Sequence, residues 1–298
     1  MLSDNGDLYE LLNEPLSVKR RGLAQQAAHD VPWHLLPLTV CQSICGDFER
    51  ALPVAAAFQL MLGAGDVFDD IEDADSPESL FAKRGYAIST NAATTLLILA
   101  ERSISRLKEK GVEDSVVTMS YERFNAYYSL ACRGQHLDLS TPRNSLVTED
   151  CYLEILGMKS ASQIECACHL GALVADADNS IIEAYSTFGR NLGMAAQITN
   201  DILGVTGGKD IARRKITLPA IYALTNADKK TQKELKGIYI NKCEETPDIE
   251  CIKSLLADSG AIYYATLKQE LYKQKAADAL SEIAGSGIDT DRMKLFFM

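Results

Sequence analysis

An all-α fold, a single-domain bundle of long antiparallel helices, is predicted by three features of the sequence. Long runs rich in Ala and Leu open behind capping residues. Alternating β-branched stretches joined by Asn-Gly or Asp-Gly turns are absent, which argues against strands. The linkers are short: Ser76–Pro77, Thr141–Pro142–Arg143, Thr206–Gly207–Gly208 and Thr246–Pro247. None of them is long enough to separate domains, so 1–298 reads as one domain, with 1–30 an N-terminal helical segment of unassigned role. In chain order, Asp47 followed by Pro53 opens a helix that continues to about Asp75. Ser89 to Lys110, Ser115 to Leu139, Glu149 to Ala175 and Ser180 to Val205 follow. Leu218 to about Thr225 begins a set of shorter helices that reaches the C-terminus.

The chain's 298 residues, 47% hydrophobic and 24% charged, suffice for a sizeable core without disulfides. A net charge of -11 argues against nucleic acid as a partner, since phosphate binding needs basic patches. The eight cysteines, Cys41 with Cys45 and Cys166 with Cys168 among them, form no zinc pattern and read as reduced core residues of a cytoplasmic protein. The N-terminus shows no apolar signal segment. No run of about 18 uncharged apolar residues is present, so no transmembrane segment is expected, and Ala51 to Gly65 reads as a buried helix.

The stretch from Gly65 to Asp75 holds six acidic residues among eleven, at the C-terminal end of an apolar helix. Carboxylates there oppose the helix dipole and repel one another, at a cost of a few tenths of a kcal/mol up to about 1 for each. No Lys or Arg stands at helical spacing to offset them. Asp69 and Asp73 are one turn apart and share a face, with Asp70 flanking. Such a ledge of hard oxygen suits Mg²⁺, which takes few protein ligands and completes its shell with water and phosphate. A solvated acidic helix end is the plainer alternative. A second segment, Gly193 to Gly204, places Gln197, Asn200 and Asp201 near one face of another apolar helix. Its plainer reading is a polar terminus before Gly207 and Gly208.

These residues resemble the trans-isoprenyl diphosphate synthases. Asp69-Asp70-Ile71-Glu72-Asp73 matches that family's first motif, DDxxD, and Gln197 to Leu203 resembles its second, Q-x-x-D-D-x-x-D. Gly134-Gln135-His136-Leu137-Asp138-Leu139 is similar to its GQxxDL, Lys159-Ser160-Ala161 to its K-T-A, and Lys215-Ile216-Thr217-Leu218-Pro219 to its K-x-T-L-P. The motifs stand in the family's order over residues 35 to 225. The resemblance implies a bundle around a central cavity of the isoprenoid synthase type, and homodimerisation. It also implies Mg²⁺-dependent ionisation of an allylic prenyl diphosphate and transfer of the prenyl group to an acceptor, with three Mg²⁺ bound beside the diphosphate. By that likeness Asp69, Asp73, Asn200, Asp201 and Gln197 serve metal, with Asp70 supporting. Lys159, Lys215, Gln135 and Arg84 serve the diphosphate. Bulky side chains one turn before DDxxD limit tail length in the family. Ala64 and Gly65 are small, so together with Phe68 they are expected to line an open prenyl-tail pocket; close helix packing is the rival explanation.

Two departures bear on the acceptor. Chain-elongating members carry a basic G-K-R-x-R-P segment for isopentenyl diphosphate, where this chain reads Pro32-Trp33-His34-Leu35-Leu36-Pro37. They also carry an Arg pair soon after DDxxD, where this chain reads Ala74-Asp75-Ser76-Pro77-Glu78; Lys19-Arg20-Arg21 lies too far upstream to substitute. Each charge-assisted bond so lost is worth about 1.5 to 3 kcal/mol. In the second motif Asn200 and Gly204 replace two aspartates, which weakens the expected third metal. The combination resembles the branch that prenylates a tryptophan of pheromone peptides. The acceptor is therefore either a peptide or small molecule, or isopentenyl diphosphate as in a divergent elongating synthase. A non-catalytic regulatory subunit is a further alternative.

Overall fold

The computed structural model describes residues 6–16, 31–73, 76–142, 146–240 and 248–296, and among them no strand is present. The calls on Lys19–Arg21, Ala74, Asp75, Arg143 and Thr246–Pro247, and most of the segment 1–30, lie outside these residues. Described contacts group the chain into two compact units. One comprises residues 1–125, 167–185 and 283–298, the other 126–166 and 186–282. Neither is a continuous stretch, so no single linker divides them.

The first unit contains α1 (Gly6–Asn13), α2 (Leu36–Cys45), α3 (Leu52–Asp73) and α4 (Leu80–Ser105). Asp47 caps the 3-10 turn that leads into α3, its Oδ1 accepting from the Glu49 N–H at 2.9 Å, and Pro53 follows in the first turn of the helix. The expected start at Ser89 is corrected, because α4 begins at Leu80 behind the Ser79 cap, whose Oγ accepts from the Ala82 N–H at 3.0 Å. Gly85 interrupts it with φ 78°, a left-handed value that glycine adopts without a Cβ penalty, and this break hides the early turn from sequence periodicity. Leu12 of α1, Ala64 and Val67 of α3, and Leu80, Ala92, Ala93 and Leu96 of α4 form one buried apolar cluster. By length and hydropathy the stretch 48–73 alone among the described residues is apolar enough to cross a membrane, yet 61% of its most apolar window is buried within the fold. Burial in a core accounts for that apolarity.

Four helices give residues to both units, among them α5 (Asp114–Ser140) and α7 (Ser162–Val174). The second unit holds α6 (Glu149–Leu156), which runs through a π-helical turn at Gly157–Ala161 into α7. The single helix expected over Glu149 to Ala175 is thus three pieces. Then follow α8 (Asn179–Thr206), α9 (Lys209–Ala212), α10 (Leu218–Asn226), α11 (Lys229–Tyr239), α12 (Ile249–Asp258) and α13 (Ala261–Gly285). Tyr152, Leu156, Ala161, Met194, Ile198, Leu218, Ile221 and Ala265 pack as one core cluster of this unit. The cysteines need a correction too: Cys41, Cys166 and Cys168 are buried, but Cys45, Cys132, Cys151 and Cys251 are exposed, and all seven are free thiols.

His169 on α7 is buried, and desolvation, reinforced by the Arg123 charge, lowers its pKa from 6.5 to about 4. A base whose folded pKa lies below its unfolded one binds protons more readily when unfolded. Its contribution to stability is therefore complete above pH 6.5 and lost as the pH falls toward 4. We expect denaturant titrations to show His169→Gln abolishing about 3 kcal/mol of the acid-linked loss over that interval. An unchanged pH profile would refute the assignment.

Candidate active site

Asp69, Asp70 and Asp73 occupy the last turn and a half of α3; the first two are half-buried and Asp73 is exposed. No basic residue stands in the last turn of this helix. Among the described residues no three His, Cys, Asp or Glu side chains converge into a ready-made metal cage. Mg²⁺ does not require one, because it is held through one or two carboxylates together with water and substrate phosphate.

The prenyl-tail expectation divides. Ala64 is fully buried in the cluster with Leu12 and Leu96, against which Phe68 also packs, so no open space lies at Ala64. The rival explanation, close helix packing, accounts for Gly63, where a Cβ would fall 2.7 Å from Leu16 Cδ2. Gly65 differs: it is exposed, and nothing lies within 4 Å of a Cβ placed there.

In the segment Pro32–Pro37, Trp33, Leu36 and Pro37 are buried, while His34 is half-buried and Leu35 is exposed. Trp33 is 2% exposed and stacks on Phe296 at 6.0 Å between ring centroids, and Leu36 is fully buried. Of the first cations after DDxxD, Lys83 is held by Glu14 at 3.0 Å and Glu78 at 3.5 Å. Arg84 lines a cleft of about 620 Å³ in company with Asp7, Glu10 and Glu14. Three carboxylates beside it disfavour a diphosphate, which counts against the role expected of Arg84.

In the second unit α8 carries Gln197 half-buried, Asn200 half-buried and Asp201 2% exposed. Asp201 Oδ2 accepts from the Tyr152 hydroxyl at 2.7 Å and from the Leu218 N–H at 3.3 Å. Burial raises the Asp201 pKa from 3.8 to about 7, opposed by the Tyr152 bond, by the Lys215 charge and by the Leu218 amide. A buried carboxylate so poised gains from a nearby cation. Asn200 Oδ1 is buried and has no hydrogen-bond partner, an acceptor oxygen of the kind a hard divalent ion takes. These donors fit magnesium.

Lys159 lies in the π turn, a distortion frequent at functional sites, and its Nζ donates to Asp138 Oδ2 at 2.9 Å. Gly134 makes this juxtaposition possible: a Cβ there would overlap the Lys159 backbone, so α5 and the turn touch main chain to main chain. The structure thus brings the Gly134–Leu139 and Lys159–Ala161 motifs together, with Gln135 half-buried beside Gly134. Lys215 is exposed and follows Arg214, whose φ of 53° is left-handed, and its N–H donates to the Asp210 carbonyl at 2.8 Å. Lys215 acts electrostatically on both Asp201 and Asp210. Sequence reasoning missed Tyr152 and Asp210. Tyr152 carries no motif; Asp210 shows only as an acidic residue five before Lys215.

The polyprenyl synthetase family model matches residues 34–256. The chain belongs to that family. It is a prenyltransferase by that membership. This prenyltransferase is 30% identical over 255 residues to a geranylgeranyl diphosphate synthase of Mycobacterium tuberculosis, covering 81% of this chain and 71% of the relative. It is 27% identical over 241 residues to the tryptophan prenyltransferase ComQ of Bacillus spizizenii, covering 79% and 81%. A geranylgeranyl pyrophosphate synthase crystal structure matches with a TM-score of 0.81 at 22% identity, over 95% of this chain and 87% of that one, a likeness of fold.

Proposed function

We propose that this prenyltransferase ionises an allylic isoprenoid diphosphate with Mg²⁺ and transfers the prenyl group to an acceptor other than isopentenyl diphosphate, a peptide or a small molecule. The observation that carries the choice of acceptor is the burial of Trp33 and Leu36 in a segment without Lys or Arg, where elongating members present cations. Asp69 and Asp73 ligate magnesium in this reading, with Asp70 beside them, and Asn200, Asp201 and Gln197 serve the remaining ions, three in all. Magnesium held by these residues would offset the charge that grows on the diphosphate as it leaves. Lys159, steadied by Asp138, and Lys215 bind diphosphate oxygens as point charges, and Gln135 supports them. The C–O bond breaks with its electrons going to the diphosphate. The allylic carbon then bonds to the acceptor's nucleophilic atom, which gives up a proton.

Elongation is the second reading, favoured by the likeness to geranylgeranyl diphosphate synthase. Labelled geranyl or farnesyl diphosphate, incubated with Mg²⁺ and isopentenyl diphosphate, distinguishes the two. We expect no longer diphosphates above background; their efficient formation would establish elongation instead. A Trp-containing peptide supplied in place of isopentenyl diphosphate is expected to take up the label. The regulatory-subunit alternative requires that no diphosphate be released with any acceptor. The same proposal includes a homodimer, and sedimentation as a 32.6 kDa species would contradict it.

A further inference from the structure

Gly204 stands where the second motif has its last aspartate, four residues after Asn200 and three after Asp201, so a side chain there would share their face of α8. That space is taken. A Cβ on Gly204 would overlap the carboxylate of Asp210, which comes from the short α9, and would lie 2.5 Å from its Cγ and 2.9 Å from Oδ1. We propose that Asp210 supplies the third acidic group of the second metal motif, reaching from α9 into the place that Gly204 leaves open.

Three observations besides the overlap support this. Asp210 lies close enough to Asp201 to repel it, and the Lys215 charge acts on both, with Lys209 and Arg213 acting on Asp210 as well. Asn200 Oδ1, on the same face of α8, is buried with no hydrogen-bond partner. Tyr239, 3% exposed, lies within electrostatic reach of Asp210, and its hydroxyl too is buried without a partner. An acceptor and a hydroxyl oxygen left unsatisfied around two carboxylates mark a place for a cation and its water. Asparagine at 200 and glycine at 204 remove two charges from the motif, and Asp210 restores one. The move of an acidic group from α8 to α9 also accounts for the glycine at 204, since a side chain there would displace the Asp210 carboxylate.

The inference rests on the reading that Asn200 and Asp201 hold divalent metal, and its test separates the two. Mn²⁺ bound per chain is counted by electron paramagnetic resonance with farnesyl thiodiphosphate, an unreactive analogue, on wild type, Asp210→Asn, Asp201→Asn, Asp69→Asn, Gly204→Asp and Gly204→Asp/Asp210→Ala. Asp210→Asn is expected to melt near wild type and to weaken Mn²⁺ binding about 10-fold or more. Gly204→Asp alone is expected to melt lower, because two carboxylates compete for one space. The double variant, with the acid moved back onto α8, is expected to recover both melting temperature and Mn²⁺ affinity. Unchanged Mn²⁺ affinity in Asp210→Asn, with weakened affinity in Asp201→Asn, would overturn the role of Asp210 and leave the metal reading intact. Unchanged affinity in all variants, Asp69→Asn included, would overturn the metal reading and this inference with it.

Discussion

Replacing Asp69 and Asp73 together by Asn is expected to lower kcat/KM for the allylic diphosphate by about 10³-fold or more, since aligned charge at a leaving group is among the largest single contributions to such rates. Stability is expected to move the other way. The side chains end α3 with the acid at the helix's negative pole and no basic residue in the last turn. Neutralising both relieves about 0.3 to 1 kcal/mol for each residue. A thermal melt should therefore hold steady or rise while turnover collapses. Purely structural carboxylates predict the reverse pattern. Wild-type turnover in the double variant would remove the first motif from the mechanism, whatever the melt shows.

The fold was legible because its helices carry their own punctuation. Asp47 and Pro53 mark the approach to α3, and the expected bounds of α5 and α8 agree with the structure to within a residue at each end. Gly85 hid the first turns of α4, because a left-handed residue breaks the period on which a helix is recognised from sequence. The break at Gly157–Ala161 was equally hidden: a π turn keeps helical composition and changes only the hydrogen-bond register, which no residue type announces.

The candidate site was legible where its chemistry lies along one helix and obscure where it comes from different elements. Asp69 with Asp73, and Asn200 with Asp201, can be read from spacing alone. The pairing of Lys159 with Asp138, the Tyr152 hydroxyl on Asp201 and the Asp210 carboxylate over Gly204 link residues from 6 to 49 positions apart and depend on packing. The missing isopentenyl cations illustrate the same limit from the other side. Their absence is visible in the sequence, but the fact that Trp33 fills the core instead appears only in the structure.

Gly134→Ala provides the sharpest test of that packing. A Cβ at this position would lie 2.8 Å from both Lys159 Cα and Met158 Cβ, and closer still to the Lys159 amide nitrogen. Neither neighbour is the free end of a flexible side chain, so the π turn or α5 must move. Overpacking of this kind costs about 1 to 3 kcal/mol, and against main chain the upper end is expected, a fall in melting temperature of roughly 6 to 12 °C. The displacement carries Lys159 away from Asp138, and misplacement by about 1 Å of a group that positions substrate can cost about 10²-fold in rate. Gly65→Ala is the matched control. It adds the same methyl group within a helix, but at an exposed position with nothing within 4 Å, so it is expected to gain up to about 1 kcal/mol from helix propensity. If both variants melt alike, α5 does not press against the π turn, and Lys159 loses the support that ties it to the diphosphate.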